Sequence, residues 1–195
     1  MQEILTDNEK ININEKKFTF KYPEYFILDK KINLYEDQIH EFKTFSINSE
    51  LDIPIVINII ERYFCAFLNT NNGIIYIGIN DDGYIKGLKV DYKLLKKFEN
   101  AINNLIEKFD PYVKENNLIK YYINKLYYDI GDKDMKIVND KYIIEIYVKL
   151  GEKNVIYYTP IKDKESNENE NYIKLNGTLM KLEGKKLFKY SFGIS

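Results

Sequence analysis

The spacing of apolar positions changes period twice between residues 54 and 88. Val56, Ile59, Ile60, Tyr63, Phe64, Phe67 and Leu68 recur on one helical stripe, which predicts a helix ending near Thr70. Asn71-Asn72-Gly73 is a turn, and Ile74 to Ile79 is a β-branched run bounded by turn residues, so it reads as a strand buried on both faces. Asn80-Asp81-Asp82-Gly83 closes a tight connection, and Tyr84 to Leu88 returns as the next strand. The rest of the chain is arranged around this unit of helix, strand and acidic turn.

A second stripe, Leu94, Leu95, Phe98, Ile102, Leu105, Ile106 and Phe109, predicts a helix over 91–109, capped by Asp91 and stopped by Pro111. The first helix starts from Ser49 or Asp52, with Pro54 in its first turn, and spans 54–70. Ile39 to Phe45 alternates as a strand does, with His40, Phe42 and Thr44 on one face and Ile39, Glu41, Lys43 and Phe45 on the other. Glu36 precedes Glu41 by five residues, an odd separation. The two carboxylates therefore converge only if the chain bends at Asp37-Gln38. Strand-like runs at 118–123, 142–148, 155–158 and 172–175 are separated by turns at 131–134 and 151–154 and by a charged loop at 162–171. Residues 1–34 read as a tail and edge segment, and 35–190 as one domain. The fold class is α+β, a mixed sheet carrying the two principal helices.

Composition narrows the function. A length of 195 residues, 45% hydrophobic with 18 Tyr and 11 Phe, is enough for one well-filled core. The charged residues cancel to a net −1, so any affinity for nucleic acid must come from local segregation of charge. Arg62 is the only arginine, which disfavours bidentate reading of guanine, while lysines can still hold phosphates as point charges. Cys65 and His40 are each alone. They give no Cys/His zinc site, and Cys65 reads as a buried small hydrophobe. With no basic-apolar leader and no apolar run near the ~20 residues of a membrane span, the expectation is a soluble, reduced, intracellular protein, cytoplasmic first and nuclear second.

Taken singly, Asn80-Asp81-Asp82-Gly83 is a hairpin turn, and Glu36 and Glu41 are solvated acids. In order, Glu36-x4-Glu41-Phe42-Lys43, Ala66-Phe67-Leu68-Asn69-Thr70, Asn72-Gly73, Tyr76-Ile77-Gly78-Ile79-Asn80-Asp81-Asp82-Gly83 and Ile85-Lys86-Gly87-Leu88 resemble the Schlafen core, also described as an Alba-type nucleic-acid-binding domain. Tyr172-Ile173-Lys174-Leu175-Asn176-Gly177-Thr178 resembles the closing segment of that family, with Lys174 where an arginine is usual. The resemblance runs from about residue 35 to residue 180, a single lobe.

The resemblance implies a metal-dependent endoribonuclease acting on tRNA-like or other small structured RNA. Its RNA-cleaving members use two glutamates five apart and an aspartate after the glycine-containing strand, which here are Glu36, Glu41 and Asp81. Three converging carboxylates suit Mg²⁺ or Mn²⁺, which prefers oxygen ligands and activates water. Lys43, Lys174, Lys181, Lys185 and Lys186 are then the candidate phosphate contacts. Two-lobed members carry a zinc site whose ligands this chain lacks, and one lobe implies a homodimer or a complex with another Schlafen-like chain. A non-catalytic nucleic-acid-binding module and an assembly subunit of a Schlafen-like complex stay open as alternatives.

Overall fold

The structure, a computed structural model, describes residues 25–109, 111–131, 134–162 and 168–183. In chain order its elements are β1 (Phe26–Ile27), β2 (His40–Lys43), β3 (Ser46–Ile47), α1 (Asp52–Thr70), β4 (Gly73–Ile77), β5 (Leu88–Val90), α2 (Tyr92–Lys108), α3 (Pro111–Glu115), β6 (Ile119–Asp129), β7 (Met135–Val148), β8 (Tyr172–Leu175) and β9 (Thr178–Lys181). β7 organises the mixed sheet. It pairs antiparallel with β6 on one side and with β4 and then β5 on the other, while β2 runs parallel to β4 and β3 parallel to β5. β8 and β9 form a separate hairpin beside α1.

Strand alternation gives the sheet two buried faces. Ile75, Ile77, Ile144, Ile146 and Val148 point to α1 and α2 and form the larger core with Phe64, Phe67, Phe98 and Ile102. Ile74, Tyr76, Ile143 and Tyr147 point the other way, onto Phe26, Phe42 and Leu126, under Leu28, Ile32 and Leu34. Residues 25–34 thus cover one face of the sheet. By length and composition α1 could cross a membrane, contrary to the reading that no segment approaches that size. However, 56% of that stretch is buried inside the protein, and it serves as a core helix.

The expected helices are found with small shifts, and Asp91 caps α2 by accepting from the Leu94 N–H at 2.8 Å. Two strand expectations are corrected. The strand expected at Tyr84–Leu88 begins only at Leu88, because the Lys86 and Gly87 N–H groups both donate to the Gly78 carbonyl and bend the chain there. Gly78 is suited to the bend, since its φ is +107° and a Cβ would come within 2.7 Å of Ile143. Residues 155–158 join no strand ladder; the Asn69 side chain on α1 instead binds the Tyr157 backbone through both its N–H and its carbonyl. Gly73 is required by contact, because a Cβ would fall 2.1 Å from the Phe67 ring.

Candidate functional site

Asp37 makes the bend that the spacing of the two glutamates demanded. Its Oδ1 accepts from the Ile39 and His40 N–H groups at 2.8 and 2.7 Å, reversing the chain just before β2. Burial pushes the Asp37 carboxyl up, but these N–H donors and the His40 ring outweigh it and hold the group below its usual range. The turn lets Glu36 fold back, so that its Oε1 accepts from the Phe42 N–H at 2.9 Å. Glu41 sits opposite Ile75 in the parallel register and Lys43 opposite Ile77, which places both side chains on the α1 face of the sheet.

Beneath α1 these groups form an ion cluster. Lys43 Nζ donates to Glu41 Oε1 and lies 3.5 Å from Glu36 Oε1, 2.7 Å from the Phe42 carbonyl and 5.2 Å from the Tyr63 ring centroid. Lys174 Nζ reaches across from β8 to Glu41 Oε2 at 2.7 Å and to the His40 carbonyl at 2.8 Å. Burial alone would push the Glu41 carboxyl up. The Lys174 and Lys43 ammonium groups and the Tyr63 hydroxyl outweigh it and hold Glu41 below its usual value. Tyr63 moves the opposite way: burial raises its phenol far above the usual range, and the negative charges of Glu41, Glu36 and Asp81 add to the effect. Asp81 is exposed on the turn that follows β4. Glu36 and Glu41 are thus brought together on Lys43 beside Tyr63, whereas Asp81, past the end of β4, makes no described contact with either of them.

The model for the family described as Schlafen, AlbA_2 matches residues 36–183. The chain belongs to the Schlafen AlbA_2 family. This family is one of nucleic-acid-binding domains, and the match begins at Glu36 itself and closes just beyond β9. Of the expected phosphate contacts in this Schlafen AlbA_2 domain, Lys43 is part-exposed beside the acids, whereas Lys174 is fully buried with its charge committed to Glu41. A surface role for the Lys174 ammonium is replaced by a structural one. Lys181 Nζ lies 2.6 Å from Glu170 and 2.9 Å from Glu183, away from Glu36 and Glu41 in its pairings. Lys185 and Lys186 lie outside the described residues.

The carboxylates do not stand as a ready metal cage. Among the described residues no three His, Cys, Asp or Glu groups are close enough to hold a metal ion. The charge between Glu36 and Glu41 is occupied by the Lys43 ammonium, which a divalent cation would have to displace. Cys65 is buried as expected, with burial pushing its thiol up to about 12, but it is more than a small hydrophobe: its Sγ donates to the Tyr157 carbonyl at 3.1 Å and accepts from the Tyr172 N–H at 3.3 Å. A groove of about 550 Å³ lies elsewhere, between α1 and α2, lined by Ile53, Ile57, Glu61, Leu105 and Ile161, and contains none of the three acids.

Two participants were missed in the sequence. Tyr63 was read only as a member of the apolar stripe, and Gln38 only as part of a bend. Gln38 donates to the Lys174 carbonyl and accepts from the Gly177 N–H at 3.2 Å, fastening the β8–β9 turn to the start of β2. The burial of Lys174 has no signal in the sequence, because it comes from the packing of β8 against α1, where Tyr172 and Ile173 are buried as well.

Proposed function

We propose that this domain binds RNA and cleaves it endonucleolytically at the cluster of Glu36, Glu41, Lys43 and Asp81, acting on tRNA-like or other small structured RNA. The observation that carries the reading is the convergence of Glu36 and Glu41 on one part-exposed ammonium; Asp81 joins it in this reading through its place on the exposed turn after β4. Lys43 supplies positive charge for a phosphate oxygen. Glu36 and Asp81, the two acids nearer solvent, can accept a proton from the attacking hydroxyl or water. Glu41, held on both oxygens by Lys43 and Lys174, keeps Lys43 in place. Lys174 and Tyr63 are positioning residues.

Cleavage measured with Mg²⁺, with Mn²⁺ and with chelator tests whether this reading needs a divalent cation, which would have to displace the Lys43 ammonium from Glu36 and Glu41. Assembly as a homodimer, or with a second Schlafen-like chain, would extend the single lobe over a longer RNA. A second reading, a nucleic-acid-binding module without cleavage, is favoured by the neutralisation of Glu41 and Glu36 by Lys43. Glu36→Gln separates the two, because it removes a proton acceptor while keeping the Phe42 N–H contact possible through the amide oxygen. Cleavage of end-labelled RNA that is lost in Glu36→Gln while binding persists supports the nuclease; absence of cleavage by the wild type, with or without Mg²⁺ or Mn²⁺, supports the module.

A further inference from the structure

Segments 29–35 and 79–87 are fastened together along one side of the candidate site. The Ile32 N–H donates to the Gly83 carbonyl at 2.9 Å, the Asp29 N–H to the Ile85 carbonyl at 2.8 Å, and the Ile85 N–H to the Lys30 carbonyl at 3.0 Å, while Lys31 and Tyr84 form an antiparallel bridge. Gly83 suits this turn through its backbone, whose φ of +85° other residues rarely adopt. Fastening the loops in this way displays two aromatic side chains. Tyr35 is 69% exposed and Tyr84 40% exposed.

One cation serves both rings. Lys31 Nζ lies 5.9 Å from the Tyr35 centroid and 5.6 Å from the Tyr84 centroid, and Lys86 Nζ lies 5.7 Å from Tyr84. Tyr35 is joined directly to Glu36. Tyr84 closes the turn that carries Asp81, since its N–H donates to Asn80 Oδ1 at 2.7 Å and its carbonyl accepts from the Asn80 N–H at 3.0 Å. Each ring is therefore tied through a few backbone bonds to one acid of the candidate site. Exposed rings with ammonium groups beside them match the two surfaces of an unpaired nucleotide, whose base stacks and whose phosphate seeks a cation. In a duplex the base faces are already stacked on one another and offer nothing to these rings.

We infer that Tyr35 and Tyr84, with Lys31 between them, form a stacking platform for unpaired nucleotides of the RNA strand that runs to Glu36 and Asp81. The platform rests on the nucleic-acid-binding character of the family, and its placement as the approach to a cleavage centre rests on the reading proposed above. It makes the preferred substrate an RNA with a single-stranded stretch, such as a loop or an unpaired end. Lys31 holds a phosphate without regard to sequence, whereas the Lys86 ammonium is paired with Asp29 Oδ1 at 2.7 Å.

The test measures equilibrium binding of the full chain to labelled 2′-O-methyl oligonucleotides, which resist cleavage, so the result does not depend on nuclease activity. A single strand and a hairpin duplex of the same composition are compared at several salt concentrations. Wild type is expected to bind the single strand more tightly. Tyr35→Ala combined with Tyr84→Ala should weaken single-strand binding roughly tenfold or more and leave duplex binding unchanged, while the paired Phe variants keep the wild-type affinity. Lys31→Gln should lower the salt slope by about one. Equal binding of single strand and duplex, or Ala variants that bind the single strand as wild type does, would overturn the platform and point to a protein contact at these rings. If the binding pattern holds but natural RNA is not cut, the platform stands and the nuclease reading fails.

Discussion

Lys174 Nζ lies 2.7 Å from Glu41 Oε2, and both side chains are withdrawn from water. The pair spans from β2 to the hairpin β8–β9, and it explains how a carboxylate can stay ionised under a core helix. A buried ion pair adds little net stability compared with apolar packing, but removing one partner strands the other charge. This asymmetry governs which variants are useful for testing the site.

Lys174→Met should destabilise the fold by about 3–5 kcal/mol at neutral pH, measured by urea denaturation. The Glu41 carboxyl would lose its strongest partner, so the loss should shrink toward acidic pH as Glu41 is protonated. Equal loss at every pH would mean that the side chain contributes packing alone.

Glu41→Ala is not a clean active-site variant. It leaves the fully buried Lys174 ammonium with the His40 carbonyl and the Phe67 ring as its partners. A marked fall in melting temperature is expected, alongside any loss of RNA cleavage. Asp81→Asn, on an exposed turn, should melt with the wild type.

Asn69→Ala should cost about 2–4 kcal/mol. The Asn69 amide donates to the Tyr157 and Tyr172 carbonyls at 2.9 and 3.0 Å and accepts from the Tyr157 N–H at 2.8 Å, all out of solvent. Denaturation by urea would read the cost, and hydrogen exchange should quicken at Tyr157 and along β8 before it changes in β7.

Burial raises the carboxyls of Glu61 and Glu145 from 4.5 to about 7. The unfolded chain releases these protons near the ordinary value, so between the two values the folded state binds more protons and stability falls as pH rises. Glu145→Gln should flatten that slope and gain on the order of 2–3 kcal/mol relative to wild type above pH 8. Below the ordinary carboxylate range the lowered Asp37 and Glu41 act with the opposite sign, and stability is lost as they take up protons. Melting temperatures across that range, for both proteins, check the signs.

Much of this was legible in the chain because it depends on local pattern. The stripes of α1 and α2, the Asp91 cap and the need for a bend between Glu36 and Glu41 are properties of neighbouring residues. The close approach of Gly131 and Asp134 is another, with the Asp134 N–H donating to the Gly131 carbonyl at 2.8 Å. What escaped depends on partners far away in sequence. Val155 to Tyr158 is an apolar run like that of a strand, but its backbone is bound by the side chains of Asn69 on α1 and of Asn171, and no periodicity records that. Lys174 looks like a surface cation until β8 is placed against α1, where its ammonium meets the Glu41 carboxylate. The length of β6 and β7 was likewise hidden, since their polar outer halves, through Lys125, Lys136 and Asp140, look like loop.

The most direct measurement of the central claim is cleavage of a labelled tRNA pool by wild type and by Asp81→Asn, each with Mg²⁺, with Mn²⁺ and with chelator, alongside binding of the same pool. Wild type is expected to cut, and Asp81→Asn to bind and melt like wild type while cutting far less. An Asp81→Asn protein that cuts as fast as wild type would contradict the assignment of the cleavage centre to Glu36, Glu41, Lys43 and Asp81.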